Sequence, residues 1–401
     1  MNQYVEILRT PGVARIVSSQ LLARFPYGML SISVLLYIHE RTDSYAIAGL
    51  VLAACSIGQA IAGPFSSRFM GQWGVRRVLI IETAVAGVAL TVLALDDFAA
   101  PVYVGLGFVI GLSMPPVGSA VRTLYPKLVP AHQTSRLYSL DATAQEIIWV
   151  VGPIVATFVG TQLGGAWGIG ASVAFLVGGG AWFISSPELG RVRIPPSRRR
   201  FGAVLTQPSI AVVTVTGFLL VGLWSAIEAG VVTAFGEGNA AGGFVLAISS
   251  IGSIAGGLAF GHLPIRPWTI ARRMLIMTFG VALALASLDF WWLSLALFVT
   301  GIGTAPALAA LSTVVSASLK FSDTAEAYGW VSTGQLIGAA LGSGIAGILI
   351  DHVGSIGAIL TGLGFGVAAV AVSSLAVRSL PDLRGRDISP QADTDAIQSV
   401  D

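Results

Sequence analysis

Basic residues alternate with apolar stretches in this chain so regularly that one topology accommodates them. Reading about twelve apolar spans with the N-terminus inside puts roughly 20 of the 22 Lys and Arg residues on one side of a membrane, the cytoplasmic side that basic loops prefer. The exceptions are Arg41, in the first outer loop, and Arg24, inside the first span. Such an alternation predicts an all-α membrane protein with many spans, and it makes Arg24 the first residue to explain.

Composition agrees. Charged residues are 10% of the chain and apolar ones 54%, where soluble domains carry about 25% charged residues. Twelve spans in 401 residues leave roughly 33 residues for each span and its loop, against the ~20 that cross a bilayer. The net charge of +2 belongs to the one-sided loop pattern, and nothing resembles a nucleic-acid-binding module. Cys55 is the single cysteine and only four His are present. An internal disulfide and a cysteine metal cluster are therefore excluded, and no metal or cofactor is expected. The N-terminal stretch MNQYVEILRTPGVARIVSSQ is too polar for a cleaved signal peptide, so the first span is expected to be retained.

Spans are predicted at 14–38, 45–66, 77–95, 100–124, 139–161, 165–185, 209–233, 241–261, 270–288, 291–314, 326–350 and 354–377. The polar stretch 186–207, with Pro195, Pro196 and the run Arg198, Arg199, Arg200, reads as a cytoplasmic linker. It separates an N-terminal six-helix bundle (1–185) from a C-terminal one (208–378). Residues 379–401, with Pro381, Pro390 and five Asp, are expected to form a disordered cytoplasmic tail.

The two halves repeat. GLVLAACSIGQAIAG from Gly49 and GFVLAISSIGSIAGG from Gly243 share Gly49, Val51, Leu52, Ala53, Ser56, Ile57, Gly58 and Gly63 at a shift of 194 positions. A shift of 190 superposes Gly111 and Pro116 on Gly301 and Pro306, and Gln145 and Gly152 on Gln335 and Gly342. Two matching six-span units imply duplicated bundles with a path between them. Small residues at four-residue spacing, such as Gly58 and Ala62, Gly252 and Gly256, Gly338 and Gly342, suit close helix packing or sliding helix faces.

These features together resemble the major facilitator superfamily over about residues 10–378. The stretch SRFMGQWGVRRVL resembles the family's signature loop through Gly74, Arg76 and Arg77, but departs at Ser67, Gly71 and Gln72. The acidic residue of that loop, part of the charge latch on the inner gate, is missing at Gly71. Arg272 and Arg273 occupy the comparable loop of the second half. Gly152 and Pro153 in DATAQEIIWVVGPIVATFVG are similar to the family's antiporter signature, without its flanking glycines. YGWVSTGQLIGAALGSGIAG and GSIAGGLAFG look similar to bacterial efflux members. The resemblance implies secondary transport by alternating access, with spans one, four, seven and ten lining a central cavity.

Charge inside hydrocarbon costs at least ~2.5–3.5 kcal/mol and needs a partner or a watered cavity. Arg24 lies on the stripe Gln20, Arg24, Gly28, Ser31 of span one, with Tyr27 beside it. Glu146 lies in span five and Glu228 in span seven. At 1.5 Å per residue, Arg24 and Glu146 sit roughly 3 and 6 Å to the cytoplasmic side of their span centres, while Glu228 sits about 10 Å to the outer side. An Arg24–Glu146 pair is therefore expected, either as a static link between spans or as a setter of cavity charge. Glu228 is the acid expected to lack a basic partner and is the first candidate proton carrier, with Glu146 second. Its alternative is an interfacial cap. Glu82 and Asp141 are placed nearer span ends, where solvation suffices.

Trp224 and Ser225 share a face with Glu228 and join Arg24, Tyr27 and Ser31 as substrate-cavity candidates. Gly74, Arg76, Arg77, Pro115, Pro116, Arg122, Gly152, Pro153 and Pro306 are the gating or hinge candidates. The prolines remove backbone hydrogen bonds and so either hinge or fix a kink, and Arg122 either gates or anchors a loop end.

The sequence reads as a proton-coupled exporter of small organic or drug-like molecules. It would be a monomer in the lipid bilayer of the plasma or inner membrane, with both termini cytoplasmic. The nearest alternative is uptake or facilitated transport of a sugar or organic anion, with Arg24 as anion ligand. An embedded enzyme would need a nucleophile motif or phosphate loop that the chain lacks, and a sensor would need a soluble output domain.

Overall fold

The computed structural model describes residues 2–95, 97–236, 240–261 and 263–393. Among these the chain is helical, with one isolated bridge between Lys320 and Gln391 in place of any sheet. Eleven segments are long and apolar enough to cross a membrane. Thr269–Ala284, at 16 residues, is a shorter twelfth. At 1.5 Å per residue it reaches about 24 Å, close to the ~30 Å hydrocarbon core.

Two spans are broken, both at proline. Span one consists of Val13–Arg24 and Pro26–Thr42, and span four of Ala100–Ser113 and Val117–Leu128. Pro26 has no N–H to give, and Pro115 and Pro116 together end the first half of span four. Pro153 and Pro306, in contrast, lie inside the continuous helices Ala131–Leu163 and Phe290–Ser318. Tyr27 ties the two breaks together, its hydroxyl donating to the Pro115 carbonyl at 3.0 Å.

Spans five and eleven are longer than expected. They run Ala131–Leu163 and Phe321–Val353, 33 residues each, or about 50 Å. Both gain a turn or more at the face that carries the 186–207 linker, called the linker face below. Each ends on a glycine with positive φ, Gly164 at 104° and Gly354 at 72°, a conformation that favours a residue without Cβ. These turns hand the chain directly to spans six and twelve.

The sequence repeat is also a packing repeat. In the first half, Gly58 of span two lies against the backbone of Phe108 and Leu112 in span four, and Gly111 lies against Cys55. In the second half, Gly252 meets Phe298 and Gly301 meets Ser249. Each residue of the second set is the first shifted by 194 or 190. Likewise a Cβ on Gly152 of span five would crowd the Gly28 backbone, and one on Gly342 of span eleven would crowd that of Gly222.

The tail departs from expectation. Residues 380–393 pack on the linker-face ends of spans nine to eleven instead of hanging free. Leu383 N–H donates to Ile265 at 3.0 Å, Ser316 Oγ to the Ile388 carbonyl at 3.0 Å, and Gln391 exchanges two backbone bonds of 3.0 Å with Leu319 and Phe321. Leu380, Leu383 and Ile388 are buried there, and this apolar burial offsets the ordering entropy that the polar composition alone would not. Residues 394–401 lie outside the described residues.

The glycine crossings are testable as twins. Gly111→Val and Gly301→Val should each lower the melting temperature of the purified protein, by the roughly 1–3 kcal/mol of an overpacked contact. Gly105→Val, where nothing lies within 4 Å, should leave it unchanged; equal effects at all three positions would contradict the crossing model.

Candidate functional site

Arg24 is buried, and its partner is Asp141, not Glu146. Asp141 is 1% exposed and gathers most of the polar groups at this depth. Its Oδ1 accepts from Gln20 Nε2 and from the Tyr125 hydroxyl at 2.9 Å each, and lies 3.5 Å from Arg24 Nη1. Its Oδ2 lies 3.5 Å from Arg122 Nε. Gln145 Oε1 accepts from Arg24 Nη2 at 2.5 Å and from Arg122 Nη2 at 3.2 Å, and Gln20 Oε1 accepts from Arg24 Nη1 at 3.0 Å. Two guanidiniums thus share one carboxylate, a surplus of one positive charge held by spans one, four and five. Asp141 escapes sequence reading because span five begins eight residues earlier than its apolar pattern suggests, so the residue lies about 15 Å along the helix.

Glu146 faces the other half. Its Oε1 accepts from Ser253 Oγ of span eight at 2.7 Å, and the same hydroxyl accepts from Ala305 N–H at 3.2 Å. Glu228 has no ion pair among the described residues and is exposed at the protein surface. Gly217 packs on Gln335 of span eleven and Trp224 Nε1 donates to Thr304 of span ten at 3.1 Å. Glu228 lies one turn beyond Trp224 on the same face. Ser225 is half-buried beside it and Ser31 is exposed.

Hydrogen bonds that cross between the halves gather from mid-depth to the linker face. Arg68 Nη1 of span two pairs with Glu326 of span eleven at 2.6 Å. Glu326 is 1% exposed and also accepts from the linker Gly202 N–H at 2.7 Å. The linker adds Ser197 Oγ, donating to Asp323 at 2.6 Å, and Arg199, 3.2 Å from the same carboxylate. Thr333 donates to the Ala60 carbonyl at 2.7 Å, and Ser139 Oγ and the Tyr4 hydroxyl donate to that of Gly257 at 2.8 and 3.0 Å. Lys127 Nζ stands 4.6 Å over the Phe321 ring. At the axis, the Tyr328 hydroxyl lies 2.9 Å from that of Tyr138. Among the described residues, no comparable packing joins spans one and seven toward the opposite face. The contacts between the halves thus close the linker face.

The signature-loop residues play smaller parts. Gly74 turns the chain between spans two and three with φ 89°, Arg76 donates to the Ser186 carbonyl at 2.9 Å, and Arg77 is exposed. Gly71 carries no acid, and the ion pair at this face joins Arg68 of span two to Glu326 of span eleven. Sequence reading overlooked both, because neither lies within a predicted span interior. Among the described residues, no cluster of His, Cys, Asp or Glu could hold a metal.

The family model for the Major Facilitator Superfamily matches residues 16–288 and 233–394. An uncharacterized MFS-type transporter, y4rN of Sinorhizobium fredii (strain NBRC 101917 / NGR234), is 25% identical over 94% of this chain and 98% of its own. The proton:xylose symporter XylE bound to 6-bromo-6-deoxy-D-glucose superposes with a TM-score of 0.71 at 14% identity, covering 94% of this chain and 97% of that one. The human organic anion transporter MFSD10 (TETRAN) gives 0.69 at 14% identity, covering 90% and 99%. A bacterial homologue of the iron transporter ferroportin, in an outward-facing state, gives 0.69 at 13%, covering 91% and 99%. At these identities the structural likenesses establish the fold.

The Arg68–Glu326 pair predicts a measurable bias. Glu326→Gln removes the charge but keeps the shape, and should weaken linker-face closure by on the order of 1–3 kcal/mol, as for a hydrogen bond to a charged partner. Distances between spin labels on spans two and eleven at that face should then lengthen; an unchanged distribution would show that the pair does not hold the gate.

Proposed function

The chain belongs to the major facilitator superfamily, and on that premise we propose that it is a proton-coupled exporter of small organic molecules. Members of the family are transporters, which work by moving two halves about a central site. The observation that carries the reading is Glu228. It is an acid in the third of the membrane-spanning helix Pro208–Phe235 farthest from the linker face, with no ion pair among the described residues and with its side chain exposed. A group that binds a proton on one side of the cycle and releases it on the other has to lie in such a place. Glu146, bonded to Ser253 across the halves, is positioned to sense whether the halves are together. With the linker on the cytoplasmic side, the closed linker face corresponds to an outward-open state, from which an exporter takes up a proton.

Trp224 lies one turn from Glu228 and reports on it. In nanodiscs, tryptophan fluorescence should show a pH transition in the wild type that disappears in Glu228→Gln. Reconstituted Glu228→Gln should lose substrate-driven proton flux by at least tenfold; flux at the wild-type rate would remove Glu228 from the role.

A second reading, transport of an organic anion, has its own observation: the surplus positive charge of Arg24 and Arg122 over Asp141. On that reading Arg24→Gln should reduce transport of carboxylate-bearing compounds by roughly tenfold, the effect of ~1.4 kcal/mol, and leave neutral compounds unaffected. Equal loss for both classes would assign the arginine to structure.

A further inference from the structure

The repeat that pairs Gly58 with Gly252 also pairs the two sides of the linker-face gate, and the two sides are not equally filled. On one side, Arg68 of span two meets Glu326 of span eleven, and the linker from Pro195 to Gly202 packs over the pair. Shifted by 190, Glu326 corresponds to Arg136 at the start of span five, and the linker's Pro195 corresponds to Gly385 of the tail. Shifted by 194, Arg68 corresponds to position 262, a histidine outside the described residues. The tail thus covers the second side as the linker covers the first. Where the first side has a carboxylate, the second has an arginine.

The second side is also hollow. A cavity of about 510 Å³ lies between the halves, lined on one wall by His132 and Arg136 of span five, on another by Ile265 of the span eight–nine loop, and roofed by Arg386 and Asp387 of the tail. Arg136, Arg386 and His132 make no ion pair among the described residues. The one carboxylate present, Asp387, already accepts from Ser389 N–H at 2.8 Å. Two permanent cations and an imidazole line an open space of small-ligand size that offers them a single carboxylate. At the neighbouring surface Phe260, Leu263 and Trp268 are exposed, apolar residues placed as an acyl chain would need them.

We propose that this cavity binds a phosphate group, either a lipid headgroup or a free phosphate, which completes the second latch. Because its walls come from both halves and the tail, the bound group gains its contacts only when the linker face is closed. A ligand that prefers one state shifts the equilibrium toward it by its differential affinity. The phosphate would hold the linker face shut. This inference rests on alternating access and not on Glu228, so either can fail without the other.

The test uses the full chain with Cys55→Ser, labelled at Gln72 and Arg272, both exposed at the linker face of opposite halves, and followed by single-molecule energy transfer in nanodiscs. One arm titrates inorganic phosphate into phosphatidylcholine discs; the other replaces part of that lipid with phosphatidylglycerol. The expected result is a closed-to-open ratio raised by roughly fivefold or more, the lower end of typical couplings, in at least one arm. The arm that responds identifies the source. The shift should vanish in Arg136→Gln and in Arg386→Gln, and return in Arg136→Lys, which shows that the variants fold. Arg384→Gln, whose side chain is paired with Asp382, should respond as the wild type does. No shift in either arm, or a shift that survives Arg136→Gln, would overturn the proposal.

Discussion

Everything in this molecule is arranged around a few places where two helix backbones touch. Lipid gives apolar side chains no reason to leave it for each other, so helices in a membrane associate by close packing and polar contacts. Gly58 and Gly111 in one half, and Gly252 and Gly301 in the other, bring spans two and four, and eight and ten, into backbone contact. Gly28 with Gly152 and Gly222 with Gly342 do the same for spans one and five, and seven and eleven. These crossings pack the helices of each half against one another. The interface between the halves is left to carry the motion.

On this symmetric frame the chemistry is asymmetric. Arg24, Arg122 and Asp141 occupy one half; the positions that correspond to them by repeat are Phe218, Ser312 and Val331. At these positions one half holds charge and the other holds an aromatic, a hydroxyl and an aliphatic side chain. Charge concentrated in one half keeps the ion cluster intact when the halves separate, because none of its members crosses the interface. The desolvation cost of Asp141 is met by four donors from the same bundle, and opening the gate leaves that arrangement untouched.

What the sequence revealed follows the range of the interactions. Span number, the repeat and the glycine crossings are local or periodic, and each could be read from spacing. The lack of an ion pair at Glu228 among the described residues was legible because its depth separates it from the cations. The partner of Arg24 was not. Depth arithmetic chose Glu146 over Asp141 because the apolar pattern of span five starts well after its helix does, and the polar first turns extend past the hydrocarbon. Arg68 and Glu326 are 258 residues apart, and no spacing rule joins them. The packed tail was hidden for a related reason: its three buried apolar residues are too few to stand out in a polar stretch, but they meet apolar helix ends that the sequence does not place.

The axis itself shows why the closed gate can open. Tyr138 and Tyr328 are repeat partners at a shift of 190, and so are Arg122 and Ser312, whose carbonyls lie 2.8 Å from the two hydroxyls. With the 2.9 Å contact between the hydroxyls, three short contacts compete for two protons. When each tyrosine donates to the carbonyl of its own half, nothing is left to donate across the axis. When one donates across, a carbonyl in its own half loses its donor. Separation of the halves therefore sacrifices no hydrogen bond at this point, since both protons return to carbonyls that move with them. An unsatisfied buried group would cost about 1–3 kcal/mol, and the symmetric pair avoids that cost in the open state. The tyrosines seal the axis by their bulk, and the strength of the closed state comes from the flanks, where Arg68, Glu326 and the linker sit.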